Sequence, residues 1–139
     1  MTTRFPSPED AEAAFYRAFE RNDLDAMLAV WDEAEDVICV HPMGSPLKGV
    51  RAVAQSWQEI LGAQVAMRFG IEPIQITRQQ GLAIHIVKEH IMVPDGKPVA
   101  PMSATNVYRE TPAGWRMILH HASPAPGVLS GPHVGRALH

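Results

Sequence analysis

The sequence predicts an α+β fold in which N-terminal helices pack on a strongly curved, mostly antiparallel β-sheet, forming a cone around an apolar pocket. Three observations carry this. Apolar residues recur at intervals of three and four through most of the first 62 positions. Beyond them come β-branched runs separated by short glycine-bearing turns, which make neighbouring strands antiparallel. Strands of about a dozen residues are long enough to bend, and a bent sheet over helices leaves a pocket.

The first helix starts at Ser7-Pro8-Glu9-Asp10. A hydroxyl caps free backbone N–H groups, proline suits the first turn, and a carboxylate stands three residues after the cap. Ala11, Ala14, Phe15, Ala18 and Phe19 form its buried stripe. Asn22-Asp23 ends it, and Asp23 caps a second short helix carrying Leu24, Met27, Leu28 and Trp31. Val37 to His41 reads as a strand stopped by Pro42, and Met43-Gly44-Ser45-Pro46 as a loop. Gly49 then precedes a third helix with Val50, Val53, Ala54, Trp57, Ile60 and Leu61, closed at Gly62. Four strands follow, at about Val65 to Ile76, Leu82 to Val93, Val99 to Glu110 and Trp115 to Ala122. Both faces of these strands carry apolar residues, so the outer face needs a cover, and a homodimer through the sheet is expected.

The 139 residues suit a single domain able to bury roughly 70% of its unfolded surface. Residues 1–123 are read as that domain and 124–139, rich in proline and glycine, as a C-terminal arm. Twelve Lys and Arg against fifteen Asp and Glu give a net charge of −3 without a basic run, which argues against nucleic-acid or anionic-membrane partners. The single cysteine, Cys39, cannot form an intrachain disulfide. No segment approaches the ~20 apolar residues of a membrane span and no signal-peptide block is present, so a cytoplasmic protein is expected.

Several segments share an order and spacing. They are the Ala14-Phe15-Tyr16-Arg17-Ala18-Phe19 helix running into Arg21-Asn22-Asp23-Leu24-Asp25, then Trp31-Asp32, then the strand end His41-Pro42-Met43-Gly44-Ser45, and Gly49 before the third helix. The closing Gly114-Trp115-Arg116 and His120-His121-Ala122-Ser123 continue the series. Together they resemble the SnoaL-like and ketosteroid isomerase-like proteins of the nuclear transport factor 2 superfamily, whose fold is also called cystatin-like. The resemblance covers nearly the whole chain. In ketosteroid isomerases an Asp-Pro-x-Gly-Ser segment supplies the general-base aspartate, and the matching position is His41. The isomerases' oxyanion-donor tyrosine matches Phe15 and their protonated aspartate matches Asn106, so one donor is lost and one replaced.

The chemistry expected from these residues is proton transfer. A neutral imidazole with an ordinary pKa of about 6.5 can take a proton from carbon beside a carbonyl and return it elsewhere. His41 is the candidate acid/base and Asn106 the donor that polarises the carbonyl, while Phe15, Trp57, Met102, Tyr108 and Met117 shape a pocket for a small apolar or carbonyl-containing ligand. Such an isomerase, cyclase or dehydratase needs no cofactor. The seven histidines do not have metal-site spacing, because adjacent His120 and His121 point to opposite strand faces, as do His85 and His90, so no metal is expected. Strict alternation puts Met117 with His121 and Ser123, and His120 with Arg116 and Ile118. Glu89, mid-strand, needs a partner, and Arg109 or Arg116 could supply an ion pair. The alternative function is a non-catalytic ligand-binding or association domain, in which His41 is a structural histidine, because the same superfamily includes association domains of calmodulin-dependent kinases.

Overall fold

The computed structural model describes residues 3–125. Helices α1 (Pro8–Arg21) and α2 (Leu24–Val30) are followed by strands β1 (Ile38–Val40) and β2 (Leu47–Lys48), then helix α3 (Val50–Gly62). Strands β3 (Arg68–Gln79), β4 (Leu82–Met92), β5 (Met102–Thr111) and β6 (Gly114–Pro124) complete the chain. They make one six-stranded sheet in the order β2-β1-β6-β5-β4-β3, mixed because β1 runs parallel to β6 while every other neighbour is antiparallel. Three helices on one mixed sheet is an α+β fold, as the sequence predicts.

The caps form as expected. Ser7 Oγ accepts from the Asp10 amide at 3.1 Å, and Asp23 accepts from the Ala26 amide at 3.0 Å. Asn22 takes the left-handed conformation that lets the chain turn from α1 into α2. Strand β2 lies where the sequence predicts loop, because two residues bounded by Pro46 and Gly49 offer no alternation to read. Strand β3 starts at Arg68, not Val65, since α3 and its cap extend through Ala63 and leave 64–67 as the connection. Strand β5 starts at Met102, not Val99, because Pro98 and Pro101 lack the amide hydrogens a ladder requires. Strand β6 continues to Pro124, one residue into the expected arm, while residues 126–139 of that arm, with His133 and His139, lie outside the described residues.

The core fills the space between helices and sheet. Phe15 of α1 meets Trp57 of α3 edge-on at 5.5 Å, and Trp31, Tyr108 and Met117 are buried beside them. Register shifts between Pro73 and Gln75 of β3, and across Val107/Tyr108 of β5 opposite Ile118, interrupt the ladders. The second places Leu119 opposite Val107 and Met117 opposite Tyr108, so Ile118 is the extra residue of a bulge. The bulge overturns the strict alternation expected for β6. Met117, His120 and Ala122 are buried together, and His121 is exposed. At the start of β6, Gly114 has φ +95°, and a Cβ there would lie 2.9 Å from both N and O of Phe5. Only glycine lets the N-terminal segment cross so closely, where the Trp115 amide donates to Phe5 O at 2.9 Å. No helix among the described residues is long and apolar enough to cross a membrane.

Candidate functional site

Strand β1 delivers His41. Pro42 ends the strand, and the turn that follows is closed by the Gly44 amide on His41 O at 2.8 Å. The half-buried ring stands edge-on to Trp57, with centroids 4.9 Å apart and planes at 82°. His41 Nε2 lies 3.0 Å from Ser56 Oγ on α3, and Ser56 donates its one hydroxyl hydrogen to Val53 O at 2.7 Å. The hydroxyl can then only accept from His41, so the neutral ring carries its proton on Nε2 and its lone pair on Nδ1. Burial pulls the His41 pKa below its ordinary 6.5, which keeps the ring neutral and able to accept a proton. Cys39 Sγ sits 3.6 Å from Nε2, and burial pushes its thiol up to about 12, so the sulfur is not a thiolate.

A buried polar row crosses the inner face of the sheet. Register places Cys39 of β1 beside His120 of β6, His120 beside Asn106 of β5, and Asn106 beside His85 of β4. His120 Nδ1 donates to Asn106 Oδ1 at 2.6 Å. Asn106 Nδ2 donates to Tyr16 OH at 3.0 Å and to Glu12 Oε2 at 3.2 Å, so both ends of the amide are committed. Glu12 Oε2 also accepts from Tyr108 OH at 2.9 Å and faces His85 Nδ1 at 3.1 Å. Tyr16 OH in turn donates to Glu89 Oε2 at 2.6 Å. Glu89 is 3% exposed, and burial, with a smaller contribution from the charge of Glu12, pushes its pKa up to about 7 against the opposing Tyr16 hydrogen bond. Burial, with His41 and His121 nearby, holds His120 down to about 3, so it is a neutral donor. Both tyrosine hydroxyls, pushed upward by burial first, stay protonated.

The predicted site residues separate into three places. His41 is half-buried at the end of β1 and Asn106 is fully buried, with His120 and Trp57 between them. Phe15, Trp57, Tyr108 and Met117 are packed core side chains without exposure, and Met102 is half-buried at the start of β5, beside Glu89 in register. Three surface clefts are described, the largest of about 650 Å³, and neither His41 nor Asn106 lines any of them. The ion pair expected for Glu89 is not made. Arg109 binds Asp32 at 2.6 Å and Asp36 at 2.9 Å, and Arg116 donates to Ala29 O at 2.7 Å, which leaves Tyr16 as the partner of Glu89. Glu12 and Tyr16 join His85 and His120 in this row, two histidines that the sequence offers only as metal-ligand candidates. Glu12 and Tyr16 are four apart on one helix, and His85 and Glu89 four apart on one strand, which puts each pair on a common face. Trp57 Nε1 is a buried donor without a partner among the described residues, and no group of three or more His, Cys, Asp or Glu among them is arranged to hold a metal ion.

Comparison with known proteins agrees with this architecture. The SnoaL-like domain family matches residues 9–126. A structure from Thiobacillus denitrificans, labelled a calcium/calmodulin-dependent protein kinase type II association domain, is 45% identical with a TM-score of 0.84, over 88% of this chain and 98% of that one. Another from Streptomyces avermitilis, labelled a dehydratase of the nuclear transport factor 2-like family, is 32% identical with a TM-score of 0.74, over 83% of this chain and 91% of that one. The F-box protein SKIP8 of Arabidopsis thaliana is 27% identical over 109 residues, 78% of this chain, which spans only 46% of that protein's length. With the helices, the mixed sheet and the match from residue 9 to residue 126 in agreement, the chain belongs to the SnoaL-like domain family, with the nuclear transport factor 2-like fold.

Proposed function

We propose that this protein binds a small carbonyl compound and moves a proton on it, as a cofactor-independent isomerase, cyclase or dehydratase with His41 as the acid/base. The observation that carries this reading is a neutral, half-buried His41 at the end of β1, its proton fixed on Nε2 by Ser56 and its ring held edge-on to Trp57. His41 Nδ1, which carries the lone pair, takes the proton from the carbon beside the ligand carbonyl. In this reading Asn106 is a positioning residue. Both its N–H groups are committed, and through His120 it fixes the wall behind Trp57. Phe15, Met102, Tyr108 and Met117 shape the apolar surroundings, and a cytoplasmic setting belongs to the same reading. The label of the Streptomyces avermitilis relative, a dehydratase, supports chemistry of this class.

The test is a thermal-shift screen of cyclic and open-chain ketones and enones on wild type and His41→Ala from pH 5 to 9, followed by NMR of deuterium exchange at the α-carbon of each compound that binds. Exchange catalysed by wild type and lost in His41→Ala is expected. If a bound ketone exchanges equally fast with both proteins, His41 is not the base.

A second reading rests on the outer sheet face. Register aligns Ile38, Leu119, Val107 and Ile84 in one row across β1, β6, β5 and β4, all half-exposed, with Ile86 beside them. Such a row is suited to a second copy of the chain, and the label of the Thiobacillus denitrificans relative, an association domain, agrees with self-association. Light scattering gives the oligomeric state directly, and a monomer at micromolar concentration removes this reading while leaving the first intact.

A further inference from the structure

The largest described cleft has a different chemistry from the His41 region. Its volume is about 650 Å³, within the range of small-molecule sites, and it is lined by Arg17, Glu20 and Arg21 of α1, Met67 and Arg68 at the start of β3, and Met92, Val93 and Pro94 at the end of β4, with Ala66. Arg17 and Arg21 are four apart on one helix and share a side of it, and the α3–β3 connection brings Arg68 to the same opening. Among the described residues, none of the three guanidinium groups is within ion-pair reach of a carboxylate. The one acid of the lining, Glu20, accepts the Phe69 amide at 2.8 Å through Oε2, which fastens it to the backbone. The lining therefore carries three positive charges and one negative on a chain whose net charge is −3. The rest of the lining is largely apolar, with Met92 52% exposed and Met67 half-buried, and methionines adapt to varied apolar shapes.

We propose that this cleft is a binding site for a small amphipathic carboxylate, its head held by Arg17, Arg21 and Arg68 and its hydrocarbon part laid on Met67, Met92, Val93 and Pro94. Charge complementarity sets the head group. Planar guanidinium forks match the geometry of a carboxylate, and three of them lining one cleft without ion-pair partners, on a chain of opposite net charge, are more than solubility requires. The adjoining methionines exclude a purely ionic ligand as the best occupant, because they would stay wet beneath a small inorganic anion. The site does not depend on His41, which is not part of its lining.

Calorimetry on the full chain tests this with octanoate, 1-octanol and acetate as probes, each below its aggregation limit. Octanoate should bind with a stoichiometry of one and more tightly than either of the others. The Arg21→Gln/Arg68→Gln double variant should weaken octanoate by about tenfold or more, as the loss of charged hydrogen bonds implies, and leave the melting temperature unchanged because both side chains are exposed. His41→Ala should bind octanoate as wild type does. The inference is overturned if octanoate does not bind, if 1-octanol binds equally well, if the double variant binds with wild-type affinity while folded, or if His41→Ala abolishes binding and so moves the ligand to the other region.

Discussion

Replacing Glu89 by glutamine removes a buried proton without changing the shape of the side chain. In the folded protein the Glu89 pKa stands near 7 against an ordinary 4.5, burial being the main cause. The unfolded chain releases this proton as the pH passes 4.5, while the folded protein holds it until about 7. Between those values the folded state binds more protons than the unfolded state, so its stability falls with rising pH by about 1.4 kcal/mol per pH unit. Over the whole interval the loss is about 3 kcal/mol, complete above pH 7, and corresponds to roughly 10 °C of melting temperature for a domain of this size. Two histidines act in the opposite sense. His120, held down to about 3, and His41, also lowered, contribute stability above pH 6.5 that is lost as the pH falls towards their folded values. The informative quantity is therefore the difference between urea-unfolding profiles of wild type and Glu89→Gln from pH 4 to 8.5, in which the histidine contributions cancel. Glutamine offers Tyr16 the same acceptor, so the two proteins should be similar below pH 4.5, and the variant should gain on wild type by about 3 kcal/mol by pH 8. Parallel profiles across that window would refute the reasoning, since they would mean that Glu89 is ionised in the folded protein throughout.

Gly114→Ala places a methyl group 2.9 Å from the backbone of Phe5 at φ +95°, and should cost about 2 kcal/mol or more in chemical denaturation, with faster amide exchange at Trp115 as the Phe5 contact opens. Leu119→Lys puts a charge in the middle of the outer apolar row; on the proposed reading that this face joins two copies, light scattering should show the variant as a monomer where wild type is a dimer, with the far-ultraviolet circular dichroism unchanged.

Much of the fold is legible in the chain because its signals are local. The cap at Ser7, the Asn22-Asp23 break, Gly49 before α3 and the two tight turns, β3 to β4 and β5 to β6, each state their own conformation within four residues. What escaped depends on pairing. Strand β2 is too short to alternate, and β1 lies parallel to a strand some 80 residues later, which no turn between them announces. The site divides in the same way. His41 is marked by an apolar strand stopped at a proline, whereas His120 turns inward only because Ile118 bulges, and a bulge leaves no trace in the residue pattern of a strand apolar on both faces. Glu89 reads in the sequence as a carboxylate needing a partner, but that partner is a tyrosine on α1, 73 positions earlier, and arginine is not involved. The arginine cleft is not legible in the sequence because positions 17, 21 and 68 form no basic run.

The parallel pairing of β1 with β6 also sets a timetable. During synthesis the helices and the β1–β2 pair leave the ribosome long before Gly114–Pro124 exists, so the strand that presents His41 waits with one long edge unpaired while more than 70 residues are added. Pairs so distant in sequence close late and slowly, after the β3–β6 meander has zipped up from its own turns. His41 is therefore seated by the last strand to arrive. A nascent chain stalled before residue 114 should hold a formed helical hairpin, an exposed β1 edge open to intermolecular pairing, and no assembled His41 region.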